Sequence, residues 1–136
     1  MRDGARGREG EGLPNSIRTY RDLFVWRKAM DLVVTSYDLA KKFPRQEIYG
    51  LTAQLQRAAV SIPANIAEGH GRKHRGDYLH HLSMARGSLL ELETHLLIAV
   101  RLKYVDAGDV QLILESTDEL GRMISGLIQK LRDKST

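Results

Sequence analysis

The sequence predicts an all-α protein, an up-down-up-down antiparallel four-helix bundle. Three observations carry this prediction. Apolar side chains recur at spacings of three and four along four long stretches. Prolines number 3 and aromatics make up 6% of the chain, against many Leu, Ala and Arg. The joints between stretches are short, which forces neighbouring helices to run antiparallel. At 1.5 Å per residue the helices span roughly 30–40 Å, similar enough to lie side by side.

The chain divides into a tail, residues 1–21, and a bundle domain, residues 22–134. Five glycines or prolines fall in the first fourteen positions, interleaved with charges, so this stretch cannot bury enough surface to offset its ordering entropy. The first helix starts at Asp22 as N-cap. Its leading apolar stripe is Leu23, Trp26, Met30, Val33, Tyr37 and Ala40; a second stripe, Val25, Ala29, Leu32, Ser36, Leu39 and Phe43, runs beside it. Pro44 stops this helix. The second runs from about Gln46 to Glu68 on Ile48, Leu51, Leu55, Ala58, Ala59, Ile62 and Ile66, with a kink expected at Pro63. The third, about Asp77 to Lys103, carries a heptad-like seam of Tyr78, Leu82, Ala85, Leu89, Leu92, Leu96 and Ala99. The fourth opens on Asp106 with Asp109 as a capping-box pair. Its seam is Val110, Ile113, Thr117, Leu120, Ile124, Leu127 and Leu131.

Composition excludes several function classes. The 136 residues are 42% hydrophobic and 28% charged, as in an ordinary globular domain. The absence of cysteine removes disulfide scaffolds, thiolate metal sites and cysteine nucleophiles. No apolar run approaches a bilayer's thickness, and the N-terminus lacks the apolar core of a signal peptide, so a cytoplasmic protein without membrane contact is expected. A net charge of +4 permits an anionic partner without demanding one.

Catalysis is not expected. A di-metal carboxylate bundle needs Glu-x-x-His on two helices, and that motif does not occur. Glu91 and His95 are four apart and read as a solvated helix pair. His80 and His81 are adjacent and cannot ligate one metal from a regular helix. No phosphate-binding glycine loop or nucleophile elbow is present. Neither a metal nor another cofactor is implied.

Three features point to binding. His70-Gly-Arg-Lys-His-Arg-Gly76 holds three fixed positive charges and no acid between two helices. It reads as a phosphate-facing patch of Arg72, Lys73, His74 and Arg75, or as a solvated turn whose charges keep the protein soluble. Arg57, Ser61, Asn65 and Glu68 form one stripe, which suits a subunit contact or an exposed face. Within it, Asn65 is placed to satisfy the carbonyl that Pro63 leaves free. The first helix carries more apolar surface than one core contact requires, which marks Val25, Trp26, Leu32, Leu39 and Phe43 as candidates for an oligomer interface.

The string Ala-Val-Ser-Ile-Pro-Ala-Asn-Ile-Ala-Glu-Gly at 59–69, with Gly71-Arg72 and Gly87-Ser-Leu-Leu-Glu-Leu-Glu93, resembles the four-helix-bundle family named for proteins encoded in intervening sequences of bacterial 23S rRNA genes. The resemblance runs from about Tyr20 to the last helix. Its motif positions are Ser61, Pro63, Asn65, Glu68, Gly69 and Arg72, all present here. The resemblance implies a homopentameric ring with no known catalytic activity. A weaker likeness of fold joins it to the accessory protein of diversity-generating retroelements, which partners a reverse transcriptase. The chain departs from the family after Gly71, where Arg-Lys-His-Arg-Gly-Asp replaces more hydroxyl-rich residues. The expectation is therefore a non-enzymatic homo-oligomer that binds RNA or DNA through its basic loop, with Arg57, Arg72, Lys73, His74 and Arg75 as the candidate contacts and the Arg-rich tail as a further one. The alternative is a protein-interaction scaffold for a nucleic-acid enzyme such as a reverse transcriptase.

Overall fold

A computed structural model describes residues 17–134; the first sixteen residues of the expected tail lie outside the described residues. The described residues form four α-helices, α1 (Phe24–Ala40), α2 (Leu51–His70), α3 (Arg75–Arg101) and α4 (Ala107–Asp133), and no strand. Two single 3-10 turns precede α1 and α2, at Tyr20–Asp22 and Arg45–Glu47. Helix α1 packs on α2 and α4, and α3 packs on the same two, with the α2–α3 contact the most extensive.

The core follows the apolar periodicity. Leu55, Ile62 and Ile66 of α2, Leu82, Leu92 and Leu96 of α3, and Leu120 and Ile124 of α4 are fully buried together. The α3 seam lies as its spacing predicts, from half-buried Tyr78 to buried Ala99. Three registers differ from expectation. In α1 the second stripe, from Val25 through Leu39, faces the core, while Met30 and Tyr37 of the leading stripe are exposed. Both stripes have helical spacing, so periodicity alone could not rank them; the smaller residues, Ala29 and Ser36, sit where neighbouring helices approach. In α4 the seam passes from Ile124 to Ile128, leaving Leu127 and Leu131 half-buried. Ile48 lies before α2 and is exposed, because α2 begins at Leu51 after the 3-10 turn.

The helix ends show why the boundaries shifted. Asp22 does not cap α1: its carboxylate accepts the backbone N–H groups of Arg18 (2.9 Å) and Thr19 (3.2 Å), and Leu23 becomes the N-cap. Glu47 accepts the Leu51 N–H at 2.8 Å with one oxygen and the Tyr104 hydroxyl at 2.6 Å with the other, so one side chain starts α2 and ties it to the α3–α4 joint. Phe43 packs on Tyr104 beside it, ring centroids 5.8 Å apart. Asp109 accepts the Asp106 N–H at 2.9 Å, as the capping-box spacing predicts, and also Lys42 at 2.9 Å. Lys28 pairs with Glu119 across α1 and α4 at 3.0 Å.

The C-terminus of α3 closes in a Schellman motif. Tyr104 N–H donates to Ala99 O and Lys103 N–H to Val100 O, both at 3.0 Å, with Lys103 at φ 65°. A lysine bears the left-handed conformation that glycine adopts without strain. Lys103→Gly is expected to stabilise the fold by about 1 kcal/mol, read as a higher urea midpoint with unchanged slope.

Three carboxyls are held below the usual carboxylate range. Arg18 and Thr19 N–H groups lower Asp22; the Tyr104 hydroxyl and Leu51 N–H lower Glu47; Lys42 and the Asp106 N–H lower Asp109. Each group holds fewer protons folded than unfolded, so its stabilisation is complete above the unfolded value and is lost as pH falls through the lowered one. Urea unfolding should show lower stability at pH 3 than at pH 7, and Glu47→Gln should reduce that difference.

Candidate nucleic-acid interface and the ladder behind it

Helix α2 lies tight against α3 at Gly69. A Cβ there would lie 2.7 Å from His81 Cβ and 3.0 Å from Tyr78 Cδ1, so only hydrogen fits. The contact continues along α2 as a line of polar side chains. Asn65 Nδ2 donates to Ser61 O at 2.9 Å and to Ser61 Oγ at 3.0 Å, which leaves Oδ1 for His81 Nδ1 at 3.0 Å. Since Oδ1 can only accept, His81 Nδ1 carries the proton in this bond. Ser61 Oγ meets Ser88 Oγ at 2.8 Å. Glu68 Oε2 stands 3.8 Å from His81 Nε2 and accepts Arg72 at 2.7 Å.

The motif residues thus form the seam between two helices. Pro63 sits buried inside the continuous helix α2. The carbonyl that Pro63 deprives of a partner belongs to residue 59, four positions earlier. Asn65 instead serves Ser61, which corrects the expectation that it satisfies the freed carbonyl. The spacing of four that made Ser61 and Asn65 neighbours is the same spacing that brings them together here. His81 and Ser88 went unread as their partners. The signal was present, since they stand seven apart, each just before a core leucine (Leu82 and Leu89).

Beyond Gly69 the chain turns sharply into α3. Arg72, Lys73, His74 and Arg75 are all exposed on this turn. Arg72 is held by Glu68, whereas Lys73 and Arg75 make no ion pair among the described residues. The His74 side chain, at the N-cap of α3, makes no capping hydrogen bond. His70 is turned inward, edge-on to Tyr78 with centroids 5.7 Å apart.

Arg57 is not part of this cluster. It lies fifteen residues up α2, about 22 Å from Arg72 along the helix axis. There it lines an open groove of about 770 Å³ with Tyr37, Val60, Ser61, Glu91 and His95. The oligomer candidates on α1 are placed differently from their expectation: Val25, Leu32, Leu39 and Phe43 are buried in the chain's own core. Half-buried Trp26 is covered by Tyr20, at 5.1 Å between centroids. The apolar surface that α1 does leave exposed belongs to Phe24, Met30, Val34 and Tyr37. Among the described residues, no group of three or more His, Cys, Asp or Glu is placed to hold a metal, and no helix is long and apolar enough to cross a membrane.

Gly69→Ala should cost about 1–3 kcal/mol, since the methyl group must displace the α3 backbone at Tyr78 and His81 rather than a flexible side-chain tip. Urea unfolding measures the loss. Gly87→Ala, with nothing within 4 Å of the new carbon, is the matched control and should not destabilise the protein.

Residues 21–126 match the model of the 23S rRNA-intervening sequence protein family. A solved structure of a Bacteroides thetaiotaomicron protein of unknown function from the S23 ribosomal protein family is similar at TM-score 0.71 and 25% identity. The likeness covers 76% of this chain and 97% of that one. No curated protein matches the chain. With four helices, a Gly69 crossing built from the motif residues and a family match over most of its length, the chain belongs to the 23S rRNA-intervening sequence protein family.

Proposed function

We propose that this chain is a non-enzymatic, cytoplasmic, homo-oligomeric bundle that binds nucleic acid through the basic turn between α2 and α3. In this reading the helices wind up-down-up-down, with α2 bent at Pro63, and the copies form a pentameric ring. The observation that carries the binding function is the exposure of Arg72, Lys73, His74 and Arg75 on one short turn, with Glu68 as the one acid paired there among the described residues. Such a cluster neutralises phosphates and reads no bases, so it favours backbone contact over sequence recognition. A ring repeats the turn around one rim and raises the local positive potential. The contacts of Gly69 with Tyr78 and of Ser61 with Ser88 support the antiparallel winding of α2 and α3.

A second reading, a scaffold that docks a nucleic-acid enzyme such as a reverse transcriptase, draws support from exposed Leu90, Leu97 and Leu112, which are apolar enough to seat a protein partner.

Fluorescence anisotropy with structured RNA and duplex DNA at several salt concentrations tests the first reading. Affinity should fall steeply with salt. The triple variant Arg72→Ala/Lys73→Ala/Arg75→Ala should flatten the log–log slope by about 0.7–0.9 for each phosphate that is no longer neutralised. Affinity that ignores salt, or a variant that binds like the parent, overturns it.

A further inference from the structure

Above the contact of Ser61 with Ser88 the α2–α3 seam opens into the groove of about 770 Å³. With α2 and α3 antiparallel, as proposed, the next turns along the seam set Arg57 opposite Glu91 and Gln54 opposite His95, and all four line the groove. Tyr37 joins them from α1. Below, the ladder is closed on itself, each polar side chain bonded to the next. Here Arg57, Glu91, Gln54 and the Tyr37 hydroxyl make no side-chain hydrogen bond or ion pair among the described residues. His95 Nδ1 is shut from solvent with no partner. An orphaned buried N–H is rarer than an orphaned acceptor, so Nδ1 is the bare nitrogen and Nε2–H is the donor that His95 offers.

We propose that this groove binds a single nucleotide whose base carries an exocyclic amino group. Arg57 takes the phosphate, Tyr37 and His95 supply aromatic surface for the base, and Glu91 accepts its amino group. The ligand class follows from the mixture of groups. A bare anion drawn to Arg57 meets the Glu91 carboxylate and is repelled. An apolar molecule would leave the polar groups desolvated and unpaired. A nucleotide carries the anion, the flat ring and the donor in one molecule. The basic turn neutralises phosphates without reading bases, so the groove adds a base preference that the turn lacks. Both stand on one stripe of α2, which runs from Arg57 through Ser61, Asn65 and Glu68 to Arg72 on the turn. Their separation of about 22 Å matches about six or seven nucleotides of a stacked strand at about 3.4 Å each. The ligand is therefore a free nucleotide or one unpaired nucleotide of a bound strand, and the second form rests on the nucleic-acid reading above.

Calorimetric titration of the full chain with CMP and UMP tests the free form. Fluorescence anisotropy with cytidine and uridine strands of about ten nucleotides, longer than that span, tests the strand form. The parent should favour cytidine over uridine by about tenfold in one form or both, because uracil presents a carbonyl where cytosine presents an amino group. Glu91→Gln, whose amide suits either base, should bring that ratio to about one. Tyr37→Ala should weaken cytidine binding by about tenfold and leave the salt slope of strand binding unchanged. Both positions are exposed, and circular dichroism melting checks that each variant folds; Glu91→Ala and Tyr37→Leu replace either that does not. A preference seen with CMP alone marks the free nucleotide as the ligand, and one seen with strands alone marks the unpaired nucleotide. No preference in either form, a preference that Glu91→Gln keeps, or full cytidine affinity in Tyr37→Ala overturns the groove site, whether or not the turn binds strands in its salt-dependent way. CMP binding beside strand affinity that ignores salt overturns the turn and leaves the groove standing.

Discussion

Everything at the centre of this fold depends on how closely α2 can lie against α3. The distance is fixed where Gly69 meets the backbone side of His81 and Tyr78, with no room for a methyl group. At that separation short polar side chains reach across directly, and Ser61, Asn65, His81 and Ser88 bond one another without intervening atoms. A larger residue at 69 would separate the helices and break these bonds in turn. Half-buried polar groups left unpaired cost more than their bonds contribute, so the ladder enforces one register between the helices as well as attraction.

The same crossing organises the turn beyond it. Glu68 is the last polar residue of the line on α2 and holds Arg72 at 2.7 Å, so the first basic side chain of the turn is anchored to the interhelical seam. Lys73 and Arg75 follow with no such tie among the described residues. Ser61, Asn65, Glu68 and Gly69 therefore serve mainly to lock two helices together, and Glu68 also anchors the first basic side chain of the charged turn.

Much of this could be read from residues alone. The α3 seam from Leu82 to Ala99 was legible because a sustained heptad spacing allows one face only. Helix α1 was ambiguous, since two apolar stripes share its period, and the choice between them depends on neighbours that no local pattern encodes. The start of α2 was misplaced because Glu47 caps it from outside, with a partner, Tyr104, fifty-seven residues away. The charged turn was visible as composition, whereas Asn65's bond to His81 joins helices whose register only packing decides. The groove with Arg57 was hidden for the same reason: its walls come from three separate helices.

The knot of Phe43, Glu47, Tyr104, Lys42 and Asp109 has its own consequence. It gathers the α1–α2 and α3–α4 joints at one end of α2, while the basic turn stands at the other, some twenty residues away. That is about 30 Å of helix, three times the screening length of about 10 Å in 0.1 M salt. Electrically the molecule is two separate terminals joined by an insulating rod. At one terminal Lys42 is answered by Asp109 and Glu47 by the Tyr104 hydroxyl, at the other Lys73 and Arg75 stand outward, and a charge brought to either goes almost unregistered at the other.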